Sequence, residues 1–228
     1  MKISLCLIVW NELRGCEQDV PQLPLSEFDE VYAIDGGSTD GTVEYLESHG
    51  IAVHKQKKRG LNAAYVLANE VSTCEAVISY FPKGTIPTSE LLTFKPHFEK
   101  GNQLVIASRQ LPNSQNEEDL KLLKPRKWAV RSLAQLASIL WRKEGYMVRD
   151  VLHGFKGWTR DAFNQMNILD HGLSIDIEMV VRSYKLGIMR CEFPCQESPR
   201  EFGESHFPFL STGRKLAAYL WYELWRKD

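Results

Sequence analysis

Between Val31 and Thr42 the chain reads Val-Tyr-Ala-Ile-Asp-Gly-Gly-Ser-Thr-Asp-Gly-Thr, and no other stretch constrains the fold as strongly. A short apolar run ends in a carboxylate, and glycines and small hydroxyl residues then carry the backbone into what reads as a helix start. In open α/β sheets ligands bind beyond the carboxyl ends of the strands, which would put Asp35 and Asp40 at the rim of a cleft, placed to meet a ligand. The same residues also suit a plain turn, with Ser38, Thr39 or Asp40 capping the helix that starts near Thr42. Taken alone, they leave both readings open.

The rest of the chain repeats the pattern. Ile3 to Val9 is a continuous apolar run ending at Trp10-Asn11-Glu12, the signature of a buried strand that delivers a polar pair to its carboxyl end. Further strands are expected at Val31 to Ile34, Ala52 to Gln56, Ala76 to Phe81 and Leu104 to Ala107. Helices are expected at Thr42 to Ser48, Asn62 to Val71 and Ser89 to Lys100. Strands alternating with helices predict a parallel, right-handed, doubly wound α/β sheet. Lys57-Lys58-Arg59-Gly60-Leu61-Asn62 feeds a helix N-terminus, where cations and free amides suit a phosphate; a solvated charge run is the alternative.

After Arg109 the character changes. Leu111 to Lys127 is long and polar and reads as a mobile loop or lid. Trp128 to Trp141 predicts a helix with a wide apolar face, of the kind that packs on a core. Asp150 to Trp158 is compact and glycine-punctuated, Ile175 to Leu186 reads as a helix, and Met189 to Pro194 as a short strand. A polar loop from Ser198 to His206 precedes Arg214 to Lys227, where Trp and Tyr stand among cations. That composition suits a membrane surface, with docking on the domain or on a partner chain as the alternative.

With 228 residues, a formal net charge of −1 and 25% charged residues, the chain can bury one sizeable core and has no global nucleic-acid signature. The reading is one domain over 1–212 with an amphipathic C-terminal helix over 213–228. Five cysteines without close-spaced pairs, and no leader before Ile3, give an expectation of reduced thiols in a cytoplasmic protein. No run of about twenty apolar residues is present to span a bilayer.

Taken in order, the pieces resemble a family 2 glycosyltransferase of GT-A fold, especially the branch of dolichyl-phosphate mannosyltransferases and polyprenyl-phosphate sugar transferases. The resemblance rests on Asn11-Glu12, Asp35 to Thr42, Arg59-Gly60, Ile106-Ala-Ser-Arg109, Asp150-Val-Leu-His-Gly-Phe-Lys156, Asp176-Ile-Glu178, Glu192-Phe-Pro194 and Arg200-Glu-Phe-Gly-Glu-Ser205. It implies a single-domain GT-A fold and inverting transfer of a sugar from a UDP- or GDP-linked donor to an acceptor, a polyprenyl phosphate or a saccharide. It further implies that Asn11, Glu12, Asp35, Asp40, Arg59, Gly60 and Arg109 surround the nucleotide sugar. Asp150, Arg109 and Arg200 would face the diphosphate or acceptor, Ser205 and His206 would lie on the acceptor's phosphate, and Asp176 or Glu178 would be the general base. Two positions apart on a helix, those two carboxylates would point one to the cleft and one to solvent.

One departure matters more than the matches. The family follows its fourth strand with acidic residues that hold Mg2+ or Mn2+, whereas this chain reads Tyr80-Phe81-Pro82-Lys83-Gly84. An ammonium has no lone pair to offer a hard cation, so the usual metal site is expected to be absent or much weakened, with Mg2+ or Mn2+ as the cofactor still open. Two expectations follow: a metal-independent transferase in which the Lys83 charge replaces the metal, or a catalytically silent GT-A-like nucleotide-binding or scaffold protein. A third, a dinucleotide oxidoreductase, lacks the Gly-x-Gly-x-x-Gly fingerprint after the first strand. The C-terminal helix would serve peripheral membrane contact or a homo-oligomer.

Overall fold

The computed structural model describes residues 1–116, 118–119, 124–200 and 209–226. A seven-stranded sheet runs in the order β3-β2-β1-β4-β6-β5-β7. Its strands are β1 (Ile3–Val9), β2 (Glu30–Asp35), β3 (Ala52–Lys55), β4 (Ala76–Tyr80), β5 (Leu104–Ser108), β6 (Lys156–Thr159) and β7 (Arg190–Pro194). The helices are α1 (Leu13–Asp19), α2 (Thr42–Ser48), α3 (Leu61–Val71), α4 (Phe94–Glu99), α5 (Pro125–Trp141), α6 (Arg160–Met166), α7 (Ile175–Lys185) and α8 (Phe209–Trp225). β1, β2, β3 and β4 pair in parallel, as do β5 and β7, and β6 lies antiparallel to both β4 and β5.

Both faces of the sheet are covered, so β1 is buried at every position, with Ser4 as its one polar residue, and serves two cores by its period of two. Cys6 and Ile8 join the cluster under α3, α5, α7 and α8, whereas Leu5, Leu7 and Val9 join the one under α1, α2 and α4. The expected α/β sheet with interleaved helices is what forms. Three elements were not expected: α1, α6 and the central strand β6. A lysine in the middle of a glycine-punctuated segment hid β6, because Lys156 is fully buried there. Ser89 to Lys100, expected as one helix, is a 3-10 turn at Thr88–Thr93 followed by α4. The lid expected over Leu111 to Lys127 lies partly outside the described residues, and its last three positions already belong to α5. The C-terminal helix begins at Phe209, ahead of the boundary drawn at 213.

Candidate active site

The carboxyl ends of β1, β2, β4 and β5 lie at the same edge of the sheet. At β2, Asp35 is fully buried, and its carboxylate accepts the amides of Gly37 at 3.0 Å and Ser38 at 3.0 and 3.2 Å. This is an Asx-type turn that fixes the glycine loop. Asp40 follows the capping alternative: it accepts Thr42 N–H and Leu13 N–H at 3.1 Å each, tying the starts of α2 and α1 together. Asn11 takes a left-handed backbone (φ 52°), donates its N–H to Ser38 Oγ at 2.8 Å and accepts Thr39 N–H at 2.8 Å. Asn11, Asp35 and Asp40 therefore hold one loop, and Asp35 does not stand open at the rim.

Above that loop the Arg59 guanidinium lies 5.4 Å from the ring centre of Trp10, a half-exposed aromatic that the sequence reading passed over at the end of β1. The phosphate expectation for residues 57–62 needs correction. Lys58 is paired with Asp170 at 2.9 Å, and Asn62 N–H reaches the Gly172 carbonyl at 3.4 Å. The N-terminus of α3, which follows Gly60 (φ +141°), is docked on the 170–174 turn, leaving Arg59 as the cation of that run beside Trp10.

Lys83 stands at the end of β4, where the family carries acidic residues. It is half-buried, its ammonium 4.7 Å from the ring centre of Phe81. Burial and then the charge of Arg200 pull its pKa down to about 8, against the opposing pull of Glu12, Glu197 and Asp176. Arg200 in turn lies 3.7 Å from Glu12. Lys83 is thus part of a mixed-charge cluster, and not an exposed loop cation.

Its loop is held from α1. Asp19, also absent from the sequence reading, is buried, accepts Gly84 N–H at 2.9 Å and lies 3.0 Å from the Tyr80 hydroxyl. Gly15 lets α1 approach: a Cβ there would meet the Pro82 carbonyl oxygen at 2.1 Å. Gly15→Ala is therefore expected to displace the 82–84 loop and to lower stability by about 1–3 kcal/mol, read as a fall in melting temperature. The same variant should weaken any ligand held by Lys83.

At β5, Arg109 is clamped. Its Nε and Nη2 reach the two oxygens of Asp150 at 2.8 and 3.1 Å, its N–H reaches Asp150 at 3.0 Å, and its Nη1 reaches Glu197 at 3.0 Å. Asp150 is fully buried; burial pushes its carboxyl up, but the Arg109 charge outweighs this and holds it well below the usual carboxylate range. Glu192 accepts the amides of Asp150 and Arg149 at 2.8 and 2.9 Å, and buried His153 meets the Ala107 carbonyl. Arg109 and Asp150 thus form an internal brace behind the cleft.

On α7, Asp176 keeps 14% side-chain exposure and pairs at 2.8 Å with Lys156, whose side chain is fully buried. Glu178 does not face solvent, as the spacing argument expected of one of the pair. It is buried and accepts Asn62 Nδ2 at 2.9 Å, Ser174 Oγ at 3.0 Å, Leu169 N–H at 2.9 Å and Arg226 at 3.2 Å. The reason is tertiary: α3 and α8 pack on the side of α7 that an isolated helix would leave wet. With four donors upon it, Glu178 joins elements together, while Asp176 is the carboxylate at the cleft. Ser205 and His206 lie outside the described residues.

The donor set does not fit a divalent cation. Lys83 occupies the place of the acidic ligand, Asp19 is spent on Gly84 and Tyr80, and among the described residues no three His, Cys, Asp or Glu side chains are grouped to hold a metal. The five cysteines are free thiols; burial pushes Cys16 up to about 12 and Cys191 up to about 11 and raises Cys6 and Cys195 as well, so these four are not nucleophiles near neutral pH.

With that geometry in place, comparison with known proteins is informative. Glucosyl-3-phosphoglycerate synthase from Mycobacterium tuberculosis, solved in complex with Mn2+, UDP and glucosyl-3-phosphoglycerate, superposes with a TM-score of 0.73 at 17% identity, covering 100% of this chain and 81% of that one. Its complex with Mn2+ and UDP-glucose gives 0.72 at 17% identity, over 100% of this chain and 80% of that one. At such identity these share the fold. Glycosyltransferase AglJ from Haloferax volcanii is 28% identical over 208 residues, 88% of this chain, which spans 65% of the length of that relative. The model of the family described as glycosyl transferase family 2 matches residues 4–166, well over half of the sequence, from the second residue of β1 through β6, the framework that carries Glu12, Asp35, Lys83 and Arg109. The chain belongs to glycosyl transferase family 2.

Proposed function

We propose that this protein transfers a sugar from a nucleoside-diphosphate sugar to an acceptor oxygen, with the Lys83 ammonium doing the electrostatic work that a divalent cation does elsewhere in the family. The observation that carries this reading is the placement of Lys83 at the end of β4, half-buried beside Arg200 and near Glu12 and Asp176. The acceptor oxygen attacks the anomeric carbon, the bond to the diphosphate breaks with its electron pair, and the leaving nucleoside diphosphate gains negative charge. A preorganised cation at that position lowers the barrier, because its attraction is stronger for the departing diphosphate than for the bound donor. Arg59 over Trp10, together with Glu12 and the Asp35 loop, would receive the base and ribose of a UDP- or GDP-linked donor. The uridine-diphosphate ligands of the structural neighbours favour the former.

Asp176 is the candidate base for a hydroxyl acceptor, whose proton it would take. A phosphate acceptor needs no base, since it is already anionic near neutral pH. In the second case, the polyprenyl-phosphate branch of the reading, α8 brings the domain to a lipid carrier at the cytoplasmic face of a membrane. Among the described residues no helix is long and apolar enough to cross one. The competing reading, a silent nucleotide-binding or scaffold protein, is favoured by the missing acidic ligands at β4.

Calorimetric titration with UDP, GDP and their sugar conjugates, with Mn2+ or Mg2+ and again with EDTA, separates these. Binding unchanged by EDTA together with turnover supports the metal-independent transferase. Binding without turnover on lipid-phosphate or saccharide acceptors supports the silent protein. No binding at all overturns the transferase and leaves the scaffold reading, with α8 and its partner as the next target.

A further inference from the structure

α5 buries one side and exposes another that carries four large apolar side chains. Val130, Ala134, Ala137 and Trp141 face the core and pack toward α7. On the opposite side Trp128, Ser132, Leu136 and Ile139 follow one another at helical spacing, flanked by Ala129 and Leu140. Ile139 is 81% exposed and Trp128 53%, with Leu136 and Leu140 also exposed. Isolated exposed apolar residues need no explanation, but a row along a helix does. The charges along the helix are cationic: Arg126, Arg131, Arg142 and Lys143 fall within or beside it and no Asp or Glu occurs between 124 and 143, while Lys124 and Lys127 at its start are paired with Asp119.

α8 repeats the arrangement. Arg182 and Lys185 of α7 hold its buried Glu223 at 3.2 Å each, and Leu216 and Tyr219 pack into the core. Outward it presents Trp221 at 66% and Trp225 at 73% exposure in edge contact with each other, with Leu224 beside them and Arg214 and Lys215 in its first half.

We infer that α5 and α8 together form a face that docks on an anionic membrane surface, with α5 as the principal contact. Trp at the water–hydrocarbon boundary, aliphatic side chains below it and cations at the headgroup level suit a lipid surface whose charge is opposite to theirs. A second copy of this chain would bring the same cations against each other. The inference extends the α8 contact of the preceding reading to a second helix, and it needs neither nucleotide nor turnover, so it stands or falls separately from the transferase reading.

The test is sedimentation of the full chain with vesicles of phosphatidylcholine alone and of phosphatidylcholine with phosphatidylglycerol. The protein should pellet with the anionic vesicles and less so as salt screens the headgroups. Ile139→Glu and Leu136→Glu, both at exposed positions, should each lower the vesicle association constant on the order of tenfold with an unchanged circular dichroism melt. Trp225→Ser reports on α8 by the same readout. Failure to pellet with either vesicle overturns the inference, as does unaltered binding of the two α5 variants. A concentration-dependent dimer dispersed by Ile139→Glu, without vesicle binding, gives the face to a second copy and also overturns it.

Discussion

Lys83→Met is expected to lower kcat/KM for sugar transfer by about 10²- to 10³-fold, the loss typical when one preorganised charge-stabilising group is removed from a developing anion. The methionine keeps the length and the contact with Phe81 and removes only the charge, so the melting temperature should hold while kcat falls. pH offers an independent check. With its pKa drawn down to about 8 by burial and by Arg200, Lys83 carries its charge below that value and sheds it above. A bound diphosphate favours the charged form, so donor affinity should be full below pH 8 and weaken by up to about tenfold per pH unit above it, until the raised pKa of the complex is passed. Lys83→Arg should move that fall out of the accessible range, and Lys83→Met should flatten it at the low-affinity limit. A wild-type profile that is flat from pH 7 to 9, or activity in Lys83→Met equal to wild type, sinks the role assigned to this lysine. Lys83→Asp completes the series: regained dependence on Mn2+ would mean that the rest of the site still tolerates the ion.

Asp150→Asn should be the most damaging single change to stability, on the order of 3–5 kcal/mol, because it leaves the inward guanidinium of Arg109 with only Glu197 as an acidic partner. For a domain of this size that corresponds to a fall in melting temperature of about 10 °C. Arg109→Met with both Asp150→Asn and Glu197→Gln should recover part of the loss, since no charge of the three is then stranded. The pH dependence follows from the depressed carboxyl. A group whose folded pKa lies below its unfolded value contributes stability above the unfolded value, near pH 4, and loses it as pH falls toward the folded one. The gap between wild type and Asp150→Asn should therefore be constant from neutral pH down to about pH 4 and close only in stronger acid. A gap that closes near pH 6 would place the cost elsewhere.

The parallel framework was legible because its strands are buried on both faces: runs such as Ile3 to Val9 and Leu104 to Ala107 announce themselves without alternation. What stayed hidden was decided by distant partners. Lys156 reads as a surface residue until Asp176, twenty positions on, is seen to neutralise it in the interior. Glu178 and Asp176 look equivalent on one helix, and only the donors Asn62, Ser174 and Arg226 separate them. The candidate site was legible by position and less so by role. Glu12, Asp35, Asp40, Arg59, Lys83 and Arg109 lie at or just beyond the strand ends in the chain. Asp35, Asp40 and Arg109, however, spend their polar atoms on the chain itself. Asp19 and Trp10 were passed over, one because a helix had not been expected there, the other because its neighbours are the more obviously polar.

The antiparallel strand β6 has a consequence for how such a chain comes off the ribosome. β5 is made before β6 yet sits beyond it in the sheet, so the edge of β4 has no native partner until Lys156–Thr159 exists. For that interval two apolar strand edges, β4 and β5, are complementary to each other and to any neighbouring nascent copy. The polar stretch from Leu111 to Lys127 and the cation-rich helix after it are translated in the same interval. They keep the growing chain charged while its sheet is still in two pieces; β6 then joins the two, and β7 is left to cover the outer edge of β5.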